Sequence, residues 1–533
     1  MRILISDDLS PEAKTVLGRI PGAQVDFKPG MKPEELREAI GEYEALAVRS
    51  ATKVTSDLLA AAPRLRVIGR AGTGVDNIDL QAATRRGVVV MNAPGGNSVS
   101  VAEHTLALLL ALARSVADAS QSTRAGRWEK KKFSSGRELF GKTLGVIGTG
   151  NIGALVVQRA KAFGMRVVGY DPFLSAEAAS KLGLELVDLA ELYQRSDAIT
   201  LHVPLTEQTT NMIGAPQLAL MKEGALLVNC ARGGLVDEKA LADALRSKHL
   251  GGAALDVFET EPPRADHPLF SCENFIATPH LGGATEDAQQ NVALIVCEAM
   301  VEFLTTGTVR NAVNVPSVSG EVLERLGPFL KLCGRLGAFA GQLALQGERG
   351  APESIEISYA GEVSLHPTAP LSAAVLKGVL GTFLAEPVNE VSAPALAKER
   401  GLSVTEVKTS DTPDFASLVT VRLRCGKDLT TEAAGTIVGK REPRLVRVDR
   451  FELEAVPEGF MLVLHNNDAP GVIGNVGHTL GEAQVNIAQF ALARDRARGE
   501  ALALVNVDTK ASPEVLERLR RLPNVLKVQQ VVL

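Results

Sequence analysis

Three residues stand where the oxidation of an alcohol would need them. Arg232 follows an apolar run in "NCARGG", Glu261 lies in "FETEPP", and His280 lies in "ATPHLGG". Imidazole titrates near neutrality, so a histidine can take a hydroxyl proton as hydride leaves the carbon. A carboxylate on its other ring nitrogen would fix the tautomer and stabilise the imidazolium. A guanidinium would grip a substrate carboxylate through two parallel hydrogen bonds and polarise the adjacent oxygen. Each residue alone also has a plain reading: His280 as a loop histidine and Glu261 as a solvated loop charge. His202 in "LHVP" is a rival base and reads better as a packing residue, while His104 lies within an apolar helix as a core histidine.

Two glycine-rich turns follow β-like apolar runs. "LGVIGTGNIGALV", from Leu144 to Val156, sets Gly148, Gly150 and Gly153 at G-x-G-x-x-G spacing between a strand and a helix. The first glycine makes the tight turn, the second admits a pyrophosphate, and the third lets helix and strand pack closely. Asn151 and Ile152 lie in the turn before a helix expected over 153–163, whose free N–H groups would face the phosphates. Asp171 follows about twenty residues on, where a carboxylate accepts hydrogen bonds from ribose hydroxyls and repels a 2′-phosphate. The expected cofactor is therefore NAD.

The other turn, "IGRAGTGVDNIDL" from Ile68 to Leu80, lacks the third glycine at that offset. It reads as the opposite wall of one cleft. Backbone N–H groups around Gly72 would approach a substrate carboxylate, with Arg70 beside them for charge.

The elements that carry these residues alternate. "RILIS", "AQVDF", "ALAVRS", "LRVIGRAG" and "GVVVMNAP" read as strands, with helices between them. A second series begins at Lys142 with "TLGVIGTG", "MRVVGYD", "DAITLHV", "GALLVNCA", "GGAALDVF" and "FIATPHLGG". Strands alternating with helices predict parallel βα units. Between the series runs "VSVAEHTLALLLALARSVADASQS", read as one long helix with Ser98 or Ser100 as its cap. "NAVNVPSVSG" is a turn-rich linker, and residues beyond it are mixed α and β. The end, from about residue 459, spells βαββα and closes on the strand "VLKVQQVVL".

Composition narrows the function class. A chain of 533 residues needs three or four cores. Net charge −5 argues against a general nucleic-acid binder. The start does not read as a signal peptide, and the apolar run Leu106–Ala113 is too short to span a bilayer, so no membrane role is expected. Five scattered cysteines suit a reducing cytoplasm.

The motifs "RAGTGVDNID", "GTGNIG", "NCARGGLVDE", "AALDVFETEPP" and "TPHLGGAT", in this order, resemble the D-isomer-specific 2-hydroxyacid dehydrogenases. "VRSATKVT" and "RWEKKKF" look like the branch of that family acting on D-3-phosphoglycerate at the head of serine biosynthesis. The resemblance implies a Rossmann NAD domain inserted into a flavodoxin-like substrate domain: residues 98–281 for NAD, and 1–97 plus 282–315 for substrate. It implies that Arg232 holds the substrate carboxylate and carbonyl, His280 is the acid/base and Glu261 its partner. It implies further cofactor contacts from Thr73, Cys230 and Asp256, and substrate contacts from Arg49, Ser50, Arg70, Gly72, Arg232 and His280, with Lys53 as a lesser candidate. Lys130, Lys131 and Lys132 are a solvated run, or a group reaching a neighbour's site in a homodimer or homotetramer. The same fold also serves corepressors that use NAD as a conformational ligand; the set Arg232, Glu261, His280 favours the enzyme.

The C-terminal part, 455–533, resembles an ACT domain, a βαββαβ module that binds amino acids, on "LHNNDAPGVIGNVGHTL" and "AQVNIAQFAL". By motif position, Asn466, Asp468 and Asn486 would hold an effector, with L-serine the implied allosteric ligand. Residues 317–450 resemble the α+β intervening domain of the long-form enzymes, a regulatory or anion-binding unit. Its basic stretch "GKREPRLVR" is a candidate anion holder or a solvated face.

Overall fold

The computed structural model describes residues 1–316, 320–347, 351–385, 387–412, 414–426, 429–439, 441–497 and 499–533. Strands β1 (Arg2–Ile5), β2 (Gln24–Phe27), β3 (Ala45–Val48), β4 (Val67–Arg70) and β5 (Val89–Met91) form a parallel sheet ordered β2-β1-β3-β4-β5. This is the flavodoxin-like order. The buried strands β3, β4 and β5 are near-continuous apolar runs, as a sheet covered on both faces requires.

The chain then leaves this sheet through helix Ser98–Ala113 and builds a second. Strands β6 (Thr143–Ile147), β7 (Arg166–Tyr170), β8 (Glu185–Leu186), β9 (Ala198–Leu201), β10 (Leu226–Asn229), β11 (Gly252–Leu255) and β12 (Phe275–Ala277) lie in the order β12-β11-β10-β9-β6-β7-β8. All neighbours are parallel. The order reverses between β6 and β9, which opens a crevice at their carboxyl ends where dinucleotides bind. Helix Glu286–Thr306 returns to the first sheet, burying Val292, Val296, Cys297 and Met300 in its core.

Two expectations are corrected. The long helix is broken: it stops at Ala113, Ser115 takes a left-handed conformation with φ 48°, and a second helix, Val116–Arg124, departs at 66°. Apolar periodicity carried the reading past Arg114-Ser115, because a left-handed serine leaves no hydrophobic signature. Neither serine caps this helix: the N-cap is Asn97, without a side-chain capping bond, and Ser100 Oγ instead donates to Gly282 O at 2.6 Å. Among the described residues no single helix is long and apolar enough to cross a membrane.

The intervening unit is a six-stranded sheet, ordered β14-β13-β15-β16-β17-β18, under helices Gly320–Gln346 and Ala369–Phe383. Its strands are β13 (Ser354–Gly361), β14 (Ser403–Thr409), β15 (Ser417–Arg424), β16 (Thr430–Val438), β17 (Glu442–Val448) and β18 (Phe451–Ala455). Part of the expected linker, 317–319, lies outside the described residues. The C-terminal sheet is antiparallel, with β19 (Phe460–Asn467), β20 (Ile487–Arg494), β21 (Glu500–Val507) and β22 (Val525–Val532) in the order β20-β21-β19-β22. Gln342 and Gln346 stand one turn apart on helix Gly320–Gln346. Their amides donate to the carbonyls of Val532 and Gln530 at 2.8 and 2.7 Å and accept from the same residues' N–H groups at 3.0 and 3.2 Å. Two side chains thus satisfy the outer edge of β22 as a neighbouring strand would.

Candidate active site

The glycine turn is built as the spacing predicts. Gly148 adopts φ 89°, where an L side chain is strained, and its N–H donates to Tyr170 O at 2.9 Å. An added Cβ on Gly153 would overlap Gly148 O, so only glycine lets the helix sit this close. An added Cβ on Gly150 would meet nothing within 4 Å. Open space therefore lies before the helix that Asn151 and Ile152 begin, whose first N–H groups lack intrahelical partners.

Asp171 ends β7 beside this turn. Its Oδ2 accepts from Thr149 N–H and hydroxyl, each at 2.8 Å, and its Oδ1 from Phe173 N–H at 2.9 Å. Burial alone would raise its pKa, but those hydrogen bonds hold the carboxyl below its ordinary range. A fixed negative charge at this position fits ribose hydroxyls and opposes a 2′-phosphate. The turn, the open space and this charge fit a dinucleotide.

His280 Nδ1 lies 2.8 Å from Glu261 Oε2, and Glu261 Oε1 accepts from Phe258 N–H at 3.1 Å. His280 has φ 56°, a left-handed conformation sparsely used by residues with side chains. Asp256 holds it there. The carbonyl of Asp256 accepts from His280 N–H at 2.9 Å, and its carboxylate accepts from Leu281 and Gly282 N–H, both at 2.8 Å. The same carboxylate takes the Thr278 hydroxyl at 2.5 Å and pairs with His104 Nε2 at 3.2 Å. Burial would raise the Asp256 pKa; His104, Thr278 and the two N–H groups outweigh it and lower it. His104 is thus a satisfied histidine at the edge of the core. Cys230, after β10, is buried, and burial pushes its thiol up to about 12, so it stays neutral.

Arg232 follows β10 and reaches across to the loop after β4. Its Nε lies 3.2 Å from Asp76 Oδ2, and its Nη1 donates to Ala231 O at 2.7 Å. An added Cβ on Gly74 would overlap Arg232 Nη2, and one on Gly72 would overlap Arg70 Nη1. These two glycines make room for guanidinium groups. Burial, then the nearby Arg232 and Arg49 charges, lower the Arg70 pKa, with Asp76 opposing them. Arg70 Nε is buried without a partner, an unmet donor in a concentration of positive charge. Thr73 donates to Asn97 Oδ1 at 2.8 Å and anchors the loop to the start of helix Ser98–Ala113.

His202 is not with this group. Its Nε2 lies 3.1 Å from Thr200 Oγ1, its Nδ1 is buried without a partner, and it packs behind Gly148 and Gly153. Ser50 and Lys53 are exposed at the end of the substrate-side loop, and Lys130, Lys131 and Lys132 are exposed after helix Val116–Arg124. Asp76 was legible within the quoted glycine loop, but nothing in its spacing marks it as the partner of Arg232. The same holds for Asn97 and Ser100, which brace the two ends of the domain crossover.

The effector residues do not converge within one chain. Asn466 pairs with Ala501 on β21, whereas Asn486 O accepts from Asp508 N–H at 3.2 Å. The two positions are separated by seven residues of β21, about 23 Å at ~3.3 Å per residue. Asp468 stays at the Asn466 end, within 3.2 Å of Arg494. Asn466 Oδ1 is buried without a partner. In "GKREPRLVR", Lys440 lies outside the described residues. Arg444 pairs with Glu442 and Glu454, and Arg447 with Glu432, so these two charges are compensated within the intervening sheet.

Residues 106–282 match the NAD binding domain of D-isomer specific 2-hydroxyacid dehydrogenases, 325–449 the D-3-phosphoglycerate dehydrogenase intervening domain, and 460–524 the ACT domain. Over 529 residues the chain is 43% identical to the D-3-phosphoglycerate dehydrogenase of Methanocaldococcus jannaschii, covering 99% of each. The chain belongs to the D-3-phosphoglycerate dehydrogenase family. The relative from Archaeoglobus fulgidus is 42% identical over the whole of both chains, and that from Bacillus subtilis 37% identical over 99% of both. Among solved structures, a Thermus thermophilus protein aligns at TM-score 0.54 and 36% identity, covering 59% of this chain and 100% of its own. NAD-dependent formate dehydrogenase from Staphylococcus aureus, solved with NAD, aligns at TM-score 0.53 and 30% identity, covering 60% of this chain and 100% of its own. As in the rest of the D-3-phosphoglycerate dehydrogenase family, the second sheet is the NAD-binding unit, and the cofactor is NAD.

Proposed function

We propose that this chain oxidises D-3-phosphoglycerate to 3-phosphohydroxypyruvate, the opening step of phosphorylated L-serine biosynthesis. The observation that carries this reading is the pairing of His280, after β12, with Glu261, in the loop after β11, in a site also furnished with Arg232, Arg70 and Arg49. Full-length relatives named D-3-phosphoglycerate dehydrogenase support the substrate.

NAD, when bound, supplies the hydride acceptor. Gly148, Gly150, Asn151, Ile152 and Gly153 would receive its pyrophosphate and Asp171 its ribose, with Thr73, Cys230 and Asp256 along the rest of its path. Arg232 grips the substrate carboxylate and polarises the oxygen that becomes the carbonyl. His280 Nε2 takes the hydroxyl proton, and Glu261 steadies the imidazolium that results. Arg49 and Arg70 hold the remaining anionic end, aided by Ser50 and the N–H of Gly72. The domains are assigned as 1–97 plus 282–315 for substrate, 98–281 for NAD, 317–450 intervening and 455–533 ACT.

NADH formation with 3-phosphoglycerate tests the reading. His280→Asn is expected to lower turnover by about 10²–10⁴-fold while NAD binding survives. Equal turnover in both proteins would remove His280 from the reaction.

The enzyme is a homodimer or homotetramer in the cytoplasm; the five free thiols suit a reducing compartment. L-serine binds at the ACT domain. The separation of Asn486 from Asn466 and Asp468 supports a site shared between two copies. Calorimetry with L-serine on wild type and Asn486→Ala checks this, and heat that is unchanged in the variant would count against it.

A further inference from the structure

Strands β1, β3 and β4 are neighbours in the first sheet and run parallel, so the loops after their carboxyl ends lie side by side. The middle loop, residues 49–52, carries Arg49 and Ser50 from the end of β3. So short a loop has no core of its own, and its shape depends on where its backbone hydrogen bonds go. Here they go to two side chains, one from each flanking loop.

Asp7, from the loop after β1, is 4% exposed. Its carboxylate accepts from Arg49 N–H at 2.6 Å, and from Thr52 N–H at 3.0 Å to Oδ1 and 3.1 Å to Oδ2. It also accepts from the Thr52 hydroxyl, which lies 2.9 Å from the Ser6 hydroxyl. Asn77, from the loop after β4, takes the opposite groups. Its Nδ2 donates to Arg49 O at 2.9 Å and to Thr52 O at 2.7 Å. Each end of the loop thus has its N–H held by Asp7 and its C=O held by Asn77. Ser50 and Ala51, between those ends, are exposed.

Two details mark this as a device for the loop. Asn77 Oδ1 is buried without a partner. The amide commits its N–H groups to the two loop carbonyls and leaves an acceptor unmet, which packing alone would not select. Asp7 is a buried acid beside a basic cluster, where its charge opposes those of Arg232 and Arg49 at Arg70. It eases the repulsion among the arginines of the site while its oxygens stay turned to the loop N–H groups.

We infer that Asp7 and Asn77 are positioning residues for substrate binding: they clamp residues 49–52 so that Arg49 is held ready for the phosphate end, on the reading above that Arg49 meets that end. A loop fixed before binding loses less freedom when the ligand arrives, so the clamp tightens binding. It stands apart from the His280–Glu261 pair, so it acts on binding and not on proton transfer.

Steady-state kinetics with 3-phosphoglycerate and NAD, together with urea midpoints, test this on the full-length protein. Arg49→Gln is the reference and should raise the KM for 3-phosphoglycerate at least about tenfold. Asp7→Asn keeps the shape and removes an acceptor; Asn77→Ala, at a half-buried position, removes the donors on the other side. Each should raise that KM at least about fivefold, with kcat and the KM for NAD within about threefold. Because Asp7 acts through Arg49, Asp7→Asn/Arg49→Gln should stay within about twofold of Arg49→Gln alone. An unchanged KM in either clamp variant, beside a raised one in Arg49→Gln, would overturn the clamp and leave the reading of Arg49 standing. A multiplied loss in the double variant would overturn it too. So would a clamp variant in which kcat, NAD binding and the urea midpoint all fall together, the mark of a merely structural role. An unchanged KM in Arg49→Gln would overturn the reading of Arg49 itself, and the inference with it.

Discussion

Arg232 and Asp76 face one another across the cleft, Nε to Oδ2 at 3.2 Å, one on the NAD sheet and the other on the loop after β4. Asp76 is mostly exposed, at 71%, so the pair is worth at most about 1 kcal/mol. It nonetheless occupies the guanidinium that a substrate carboxylate needs. Asp76→Asn should therefore leave kcat within about twofold and lower KM by no more than about fivefold. Steady-state kinetics with 3-phosphoglycerate measure both, and a large fall in kcat would mean that Asp76 does more than compete.

Gly153 is a packing requirement with a functional consequence. A methyl group there must push the helix away from Gly148 O. Gly153→Ala should cost about 1–3 kcal/mol of stability and weaken NAD at least tenfold. Unfolding in urea and quenching of protein fluorescence by NADH read the two effects separately.

Asp171 sets cofactor choice by charge. Its hydrogen bonds from Thr149 and Phe173 keep it ionised, so it opposes a 2′-phosphate at every physiological pH. Asp171→Ala should narrow the preference for NAD over NADP by at least about tenfold, and a neighbouring arginine should narrow it further. An unchanged ratio of kcat/KM for the two cofactors would take the specificity away from this residue.

His202 gives the fold an acid-sensitive point. Burial lowers its pKa from 6.5 to about 4, so the unfolded chain binds a proton that the folded chain refuses. The stability that depends on this group is complete above about pH 6.5 and is lost as pH falls toward 4, by up to about 3 kcal/mol. His202→Gln, which cannot titrate, should lose less stability over that window. Urea midpoints at pH 7 and pH 5 decide it; equal losses in both proteins would place the sensitivity elsewhere.

Legibility in the sequence followed periodicity. Buried parallel strands are continuous apolar runs, so β1, β3 to β7 and β9 to β11 could be read directly, whereas the two-residue β8 left no run to read. The glycine turn and Asp171 were legible because each residue there answers a local steric or charge demand. The pairing of Glu261 with His280 could be proposed from residue types, but its 2.8 Å geometry depends on Asp256 holding a left-handed histidine. That depends on long-range hydrogen bonds, which have no period. The separation of Asn486 from Asn466 was hidden for a similar reason: helix Val472–Glu482 lies between them in sequence, and only strand pairing shows that it carries the chain to the other end of the sheet.

The crossover between the first two sheets also bears on how the polypeptide matures. Residues from Ser98 to the end of β12 form one uninterrupted stretch, so the NAD unit has all its strands once that stretch has left the ribosome. The first sheet is synthesised earlier but must wait. Its core lacks helix Glu286–Thr306, and β5 lacks the Asn314 side chain that accepts from Val90 N–H and the Val313 N–H that donates to Val90 O. The part of the chain made first is therefore completed after the part made second. During synthesis its exposed apolar face is the one most in need of chaperone cover.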